Sequence, residues 1–424
     1  MVASLSLTSG PIISKARLTE AIKDGFSSGA LSQLDRWVEC TNLTMQFVRH
    51  DSVILNALDT RWTGAPRHTC DDLHALVAGP PYPFQLNPPT PYLSYPSGAR
   101  HLLALPLSVS SLWTTMGLYR VLSYASVLAL FLAAWRNSPR HAFLVVAPIA
   151  MLLMFAFEQH RYANNTLWAP GFFVGFLALS VFVAMRNWFQ DRARRLGFFC
   201  FLGVIAGYFD TLHGVLPVHL SLTIVLDHFF YAERDEEIRG FAAVRNALTI
   251  ALCFIAAFAL LTIVRLGLLQ LVASDPVWPN FFHRLSHRMS SVTGDNPAIG
   301  ILDLIFKLWS ERKEMTGSRT SSTILLCAGA SAWLLTLVSI VVFRAKQKAA
   351  GLTAGLGPAV IGIFVLAMGS GVILVWYLFF KNHTLIHAWV MVRMLALPIA
   401  YGFAAWMLVI VHWRETRVPR TQPA

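Results

Sequence analysis

The segment 381–393 holds the densest group of chemically active side chains in an otherwise apolar part of the chain. It joins two long apolar runs, 357–380 and 388–413, so it must lie at a membrane surface if those runs are spans. Ionisable and amide groups are costly in such a place unless they serve a function. They therefore predict a functional site, whose members are Lys381, Asn382, His383, His387 and Arg393.

Two chemistries suit this segment. His383 and His387 have the i, i+4 spacing of metal ligands on one helix face, but no carboxylate partner lies nearby in the sequence. Lys381, Asn382 and Arg393 suit a phosphate or a sugar better, because cations and amides bind such groups directly. We therefore predict substrate-binding residues and no metal ligands here, and leave a divalent cation open as a cofactor.

Asp35 and Glu39 are the candidate catalytic pair. Two acids four residues apart share one face of a helix. Paired carboxylates can divide the work between a general base and an orienting group. The competing interpretation is a solvated helix turn, although the apolar Leu43, Met45 and Phe47 that follow indicate that the helix packs against something.

Arg100 and His101 follow a turn at 95–99 and precede the apolar run 102–112. This pattern predicts an amphipathic or re-entrant helix that carries both side chains at its start. A helix N-terminus favours anions, and an arginine there strengthens the effect. The alternative is an interfacial anchor whose arginine extends to the lipid headgroups.

Three further acidic or basic positions end apolar runs on the same side. Asp210 lies between two such runs, where a carboxylate needs a partner such as Arg100 or a loop histidine. The alternative is that Asp210 caps the next helix. Glu158 and His160 close another run, and a solvated loop is the alternative for them.

The stretch 281–288 contains two His-Arg pairs spaced i, i+4 and flanked by aromatics. A helix there would present one cationic face with Arg284 and Arg288, suited to a lipid phosphate at the interface. The alternative is general attraction to anionic headgroups.

Composition indicates a polytopic membrane protein. The chain has 424 residues, of which 55% are hydrophobic and 13% are charged, and its mean hydropathy is +0.55. These values lie outside the ordinary range of soluble domains. The net charge is +12, from 34 basic and 22 acidic residues. In a membrane protein this excess reflects basic loops and lipid phosphates, so the bilayer and not nucleic acid is the expected partner.

Nine apolar runs are candidate spans and predict an all-α polytopic fold. Basic residues recur in alternate loops, which the positive-inside rule assigns to the cytoplasm. The mixed-charge stretch 227–245 falls on that side and is predicted to be a solvated face. The runs are 112–135, 142–157, 168–185, 196–209, 212–226, 247–272, 323–343, 357–380 and 388–413.

This topology divides the chain into three parts. Residues 1–111 form an extracytoplasmic region with interfacial helices, 112–413 a transmembrane domain with a long extracytoplasmic loop at 273–322, and 414–424 a cytoplasmic tail. Because 1–111 contains no spanning run and no signal-peptide pattern, we expect its export to depend on a first transmembrane helix ahead of residue 1. The alternative is that positively charged flanks elsewhere in the chain carry this segment across the membrane. All the polar groups above then converge on one side, which predicts an extracytoplasmic active site.

The chain has five cysteines. Cys40 and Cys70 lie in the region predicted to be exported, where thiols oxidise, so a disulfide and two free thiols both stay open. The other three lie in or near apolar runs and are predicted to be packing residues, namely Cys200, Cys253 and Cys327.

Four motifs occur in an order that resembles a group of bacterial polytopic membrane proteins, and this group is similar to the GT-C superfamily of lipid-phosphosugar-dependent glycosyltransferases. The resemblance covers roughly residues 30–412. The motifs are Asp35…Glu39-Cys40, Tyr95-Pro96…Arg100-His101, Phe209-Asp210-Thr211-Leu212 and Asn382-His383-Thr384-Leu385-Ile386-His387-Ala388-Trp389…Arg393.

The resemblance implies a site on extracytoplasmic loops. In the superfamily the first such loop bears an acidic motif with the catalytic base, which Asp35 and Glu39 match once a preceding helix is restored. Basic residues on later loops hold the polyprenyl phosphate, and the matching candidates are Arg284, Arg288, Lys381 and Arg393. The stretch 95–101 departs from the group, which has more aromatics there, so no role of Arg100 or His101 is carried over.

The expected function is an inverting transfer of a sugar from a polyprenyl-phosphate donor to a glycan, lipid or protein acceptor. The expected location is the bacterial cytoplasmic membrane, with the chain crossing many times. One alternative is a transporter or flippase of a lipid-linked or anionic substrate, and another is a polymerase or ligase of surface polysaccharide. The polar groups cluster at one surface and no internal repeat is visible, which favours an enzyme over a transporter.

Overall fold

The computed structural model describes residues 13–31, 37–47, 58, 61–62, 69–78, 90–91, 98–159, 165–209, 214–231, 241–273, 276–290, 300–349 and 358–417. Nearly all of these residues are helical. The exception is a short antiparallel pair between β1 (Arg61–Trp62) and β2 (Thr90–Pro91), in which Arg61 lies opposite Pro91.

Four helices precede the long apolar ones: α1 (Lys15–Ser27), α2 (Trp37–Phe47), α3 (Thr69–Ala78) and α4 (Gly98–Leu107). The next group is α5 (Leu112–Asn137), α6 (Pro139–His141), a π-helical turn (Ala142–Val146), α7 (Ala147–Gln159), α8 (Ala169–Ala184), a 3-10 turn (Trp188–Gln190), α9 (Arg192–Phe209), α10 (Val215–Phe230) and α11 (Phe241–Val272). The last group is α12 (Val277–Met289), α13 (Ile301–Ser310), α14 (Lys313–Thr316), α15 (Arg319–Ala349), α16 (Pro358–Phe379), α17 (Lys381–Ile386), α18 (Ala388–Met391), a 3-10 turn (Val392–Leu395) and α19 (Ala396–Arg417).

Every apolar run identified in the sequence falls on a helix. A helix is the expected outcome, because in lipid the backbone groups must be hydrogen-bonded within their own segment. Within the described ranges, five helices are long and apolar enough to cross a membrane: Leu112–Asn137, Phe241–Val272, Arg319–Lys346, Ala359–Phe379 and Ala388–Arg414. Shorter apolar helices occupy Pro139–Phe155, Ala169–Ala184 and Val215–Phe230. The chain is therefore a helical protein with five candidate membrane spans in its described ranges, and the nine spans expected from the sequence stay a prediction.

Helices α1 to α4 form a layer against one end of this bundle, which we call the capped end. Ile22, Leu43 and Leu73 of the layer share an apolar core with Leu112 and Met116 in the first turns of α5. A disulfide between Cys40 and Cys70 ties α2 to α3 within this layer. The open choice between a disulfide and free thiols is thus resolved in favour of the disulfide.

The opposite end of the bundle is rich in arginine. Here Asp227 is only 1% exposed, although the stretch 227–245 was predicted to be a solvated face, and for Asp227 that prediction is wrong. Asn246 donates a hydrogen bond to the Asp227 carboxylate over 2.7 Å, and Arg195 lies 3.8 Å from it. These contacts hold α9, α10 and α11 together, so Asp227 is buried because it is paired.

Close helix packing in the bundle depends on glycine at particular positions. A Cβ atom added at Gly203 of α9 would lie 2.2 Å from the backbone oxygen of Phe254 on α11. A Cβ atom at Gly175 of α8 would lie 2.2 Å from the imidazole of His219 on α10. The missing side chains therefore allow α9 to approach α11 and make room for a buried ring between α8 and α10.

Candidate functional site

Helix α2 is a polar helix that is buried on all sides. Every side chain from Glu39 to Gln46 is buried, and the carboxylate-bearing Glu39 is 1% exposed. The interpretation of this segment as a solvated helix turn is therefore wrong for Glu39. Buried polar groups need hydrogen-bond partners to offset the loss of water, so their contacts show which other segments hold this helix in place.

Asn165 holds the Glu39 carboxylate. Its amide donates to Glu39 Oε1 over 3.1 Å. The carbonyl oxygen of the same side chain accepts from the backbone N–H groups of Leu167 and Trp168 over 2.9 and 3.0 Å. One residue thus fixes both the carboxylate and the chain that enters α8. Asn165 was missed from the sequence, although Asn ahead of a helix with Pro170 in its first turn is a helix-start signal.

The same face of α2 continues along the capped end at i, i+3 and i+7. Asn42 donates from its amide to the backbone oxygen of Thr166 over 2.9 Å. Gln46 donates from its amide to the backbone oxygen of Arg100. Arg100 in turn donates from its guanidinium to the backbone oxygen of Met45 over 3.4 Å. Glu39 is therefore positioned by a helix that is bonded to both α8 and α4.

Arg100 and His101 lie in the first turn of α4, as predicted, and both are buried, at 4% and 7% exposure. That burial excludes the interfacial anchor with an arginine reaching the headgroups. The His101 ring stacks on Tyr208 with 6.3 Å between centroids. Burial, together with the nearby Arg100 charge, lowers the pKa of His101 to about 3, so this imidazole is neutral at physiological pH.

Residues 381–386 form α17, which is followed directly by His387 and packs against α12. Asn382 is fully buried and donates from its amide to the backbone oxygen of His287 over 2.8 Å. The rings of His383 and His387 lie 4.6 Å apart. Burial and then the Arg288 charge lower the pKa of His387 to about 4. The structure thus brings one predicted His-Arg pair of α12 to the predicted polar segment.

Arg393 is held by a residue that sequence reasoning missed. Its Nε donates to the backbone oxygen of Glu314 over 3.2 Å, and its Nη2 lies 3.7 Å from Glu314 Oε2. Its guanidinium also lies 6.0 Å from the Trp389 ring centroid. At 7% exposure, Arg393 ties α14 to the last helices. Two positions so far apart in the chain give no local signal of their pairing.

A pair of indoles joins the two groups of polar residues. Trp168, directly after the chain that orients Glu39, has its ring centroid 5.7 Å from that of Trp389. Trp389 in turn follows His387 by two residues. Glu39 and the polar segment therefore belong to one connected region at the capped end.

Several buried side-chain oxygens in this region have no hydrogen-bond partner within the described part of the chain. They include those of Asn42, Thr44, Thr166, Asn382 and Thr384. Each of these residues is fully buried. Buried oxygens of this kind are normally satisfied by protein or by ordered water. Those named here lie close in the chain to Glu39, Asn165 or His383.

Several predicted residues are placed less completely. Arg284 of α12 and Lys381 of α17 are half-buried. Helix α7 extends to Gln159, so it includes Glu158, whose side chain is outside the described residues. Among the described side chains, no three of His, Cys, Asp or Glu gather as metal ligands. The remaining predicted residues, Asp35, His160 and Asp210, lie outside the described ranges.

Comparison with models of protein families, with characterised proteins and with solved structures finds no match to this chain.

Proposed function

We propose that this chain is a polytopic membrane glycosyltransferase of the GT-C type, which moves a sugar from a polyprenyl-phosphate donor to an extracytoplasmic glycan, lipid or protein acceptor. The proposal rests on the contact between the rings of Trp168 and Trp389. This contact links the part of the chain that holds the buried Glu39 carboxylate to the cationic, histidine-containing segment 381–387. A transfer of this kind needs a base at one end of the reacting centre and cations at the other.

In the proposed step, Glu39 or Asp35 accepts the proton of an acceptor hydroxyl. The hydroxyl oxygen attacks the anomeric carbon, its new bond forms as the bond from that carbon to the phosphate oxygen breaks, and the electron pair leaves with the phosphate. Attack from the opposite face inverts the anomeric centre. The donor arrives attached to lipid, so the step uses no nucleotide.

The leaving phosphate is assigned to the α12–α17 side of the region. Burial, and then the charge of the nearby Arg288, lowers the pKa of the His387 imidazole, and Lys381 begins α17, the short helix that ends just before His387. Cations placed where negative charge develops stabilise the transition state. The buried oxygens of Asn42 and Thr166 lie beside Glu39 and suit sugar hydroxyls, which both donate and accept hydrogen bonds.

The carboxylate is tested by Glu39→Gln and Asp35→Asn in a deletion strain. Glutamine keeps the size of Glu39 and an oxygen that accepts from Asn165, but it cannot take a proton. A general base contributes roughly 100-fold or more, so at least one of the two changes should lower glycan transfer by that factor at equal protein level. The control is Glu20→Gln, at an exposed glutamate of α1, which should retain transfer. Full transfer by both test variants would contradict the proposal.

The same strain separates the alternatives. Deletion of a transferase removes one sugar linkage from the extracytoplasmic glycan. Deletion of a transporter or flippase leaves the linkage chemistry intact and accumulates a lipid-linked precursor on the side where it is made. Deletion of a polymerase leaves complete single repeats on lipid, and deletion of a ligase leaves the finished polymer on lipid. Mass spectrometry of the lipid-linked and surface glycans distinguishes these outcomes.

A further inference from the structure

Helix α13 has three distinct sides. Leu304 and Leu308 are buried in the main apolar core, where α13 packs against α17 and α18. A second side is polar, with Asp303, Lys307 and Ser310 exposed. The third side is apolar and open, with exposures of 43–68%. Its members are Ile301, Leu302, Ile305, Phe306 and Trp309.

The open apolar side is one continuous surface. At about 100° per residue, its five side chains fall within an arc of about 140°, and the centre of the polar side lies about 140° further round. An exposed helix that separates apolar from polar side chains in this way is typical of a helix lying in the plane of a bilayer surface. In water, by contrast, so many neighbouring apolar side chains would be costly to expose.

The end of α13 is fixed at the entrance to a candidate span. Arg312 donates from Nε to Thr323 Oγ1 over 2.7 Å, and Thr323 is one turn inside the span that starts at Arg319. Arg312 also stacks on Trp309, 4.3 Å from the ring centroid. Tryptophan and arginine are the residues that favour the headgroup region. Exposed apolar side chains also occur on the helices that α13 and Arg312 contact, namely Ile324 of α15 and Ile386 of α17.

We propose that α13 is an in-plane membrane helix, with Ile305 and Phe306 immersed among the upper acyl chains and with Lys307 at the level of the lipid phosphates. The occupant of its apolar side is lipid. This surface lies on a different side of α13 from the one that packs against α17 and α18, and the proposal does not depend on the proposed transfer reaction.

The test uses the full chain in vesicles of phosphatidylethanolamine and phosphatidylglycerol. The free thiols Cys200, Cys253 and Cys327 are changed to serine and the disulfide is kept. An environment-sensitive fluorophore is attached at Phe306→Cys, and at Ser310→Cys as the matched control one turn away on the polar side. Both labelled proteins must keep the melting temperature of the unlabelled chain. Lipids carrying a spin label near the headgroup end of the acyl chain are then added.

The label at position 306 should emit at the short wavelengths of an apolar environment and lose most of its fluorescence to the spin-labelled lipid. The label at position 310 should emit as in water and keep its fluorescence. A water-like emission at 306 would overturn the proposal. So would a short-wavelength emission at 306 without quenching, because it would mean that protein, either a second copy or another segment of the chain, covers this side.

Discussion

The buried amide of Asn165 positions Glu39, one of the two proposed catalytic bases. The NH2 group of its side chain donates to Glu39, and the carbonyl oxygen of the same side chain accepts from two backbone N–H groups just before α8. Since both ends are used, the side chain has one orientation, and Glu39 Oε1 is held at one distance from it. His101 and His387 are also governed by their immediate surroundings. Burial lowers the pKa of both imidazoles, so each stays neutral at pH values where an exposed histidine would begin to take up a proton.

The lowered pKa of His387 predicts how stability changes with pH. Burial and Arg288 bring that pKa from 6.5 to about 4. As pH falls from about 6.5 towards 4, the unfolded chain therefore binds a proton that the folded chain does not, and the free energy of unfolding decreases. Below about pH 4 both forms bind it and this contribution becomes constant.

His387→Gln should remove the contribution, so the melting temperature of the variant should fall less steeply with acidification than that of the wild type. Scanning fluorimetry of the purified protein in detergent, at steps between neutral pH and pH 4, measures both slopes. His101→Gln should change the slope in the same direction, because burial also lowers the pKa of the His101 imidazole. Slopes equal to that of the wild type would show that the two imidazoles titrate alike in the folded and unfolded chain.

At the scale of helices, sequence patterns succeed where one physical effect dominates. The apolar runs became helices because a segment without water has no other way to pair its backbone. The apolar Leu43, Met45 and Phe47 indicated that α2 packs against something. The burial of its polar side chains could not be predicted, because it depends on contacts of Asn42 and Gln46 with distant segments. The pairing of Arg393 with Glu314 could not be predicted either, because the two residues are far apart in the sequence and no pattern links them.

The contact between α9 and α11 predicts a large difference between two glycine substitutions in one helix. Gly203→Ala would place a methyl group 2.2 Å from the Phe254 backbone oxygen, and such overpacking costs about 1–3 kcal/mol. Gly197→Ala on the same helix meets nothing within 4 Å, and alanine should stabilise the helix there by up to about 1 kcal/mol.

Thermal unfolding of both variants in detergent measures the difference. Gly203→Ala should lower the melting temperature, and Gly197→Ala should keep or raise it. If the two changes shifted it equally, the close approach of α9 to α11 at Gly203 would not be the governing effect.

At the scale of the whole molecule, the chain has two chemically different ends. The capped end holds the α1–α4 layer and the candidate site, and the other end holds the buried Asp227 with Arg195 and Asn246. Alternation of helix direction produces this separation. The basic loops that the sequence assigns to the cytoplasm follow or precede helix ends on the arginine-rich side, in keeping with the positive-inside rule.

The two ends should face different compartments. In the background without free thiols, Ser27→Cys at the capped end should react with a membrane-impermeant maleimide in intact cells, since Ser27 is exposed. Asn187→Cys, exposed at the arginine-rich end, should react only after the cells are permeabilised. The reverse pattern would place the candidate site in the cytoplasm and would remove the basis for a lipid-linked donor on the outer side.

The contact between Trp168 and Trp389 has a consequence for biosynthesis. The two indoles come from early and late parts of the chain, and they meet at the capped end only when the final helices have been inserted. During synthesis, Glu39 and Asn165 are made long before the α17 segment, so the carboxylate and its proposed phosphate partners remain apart until elongation is almost complete. A chain arrested before α17 would contain most of the apolar helices and would still lack the residues proposed to bind the phosphate.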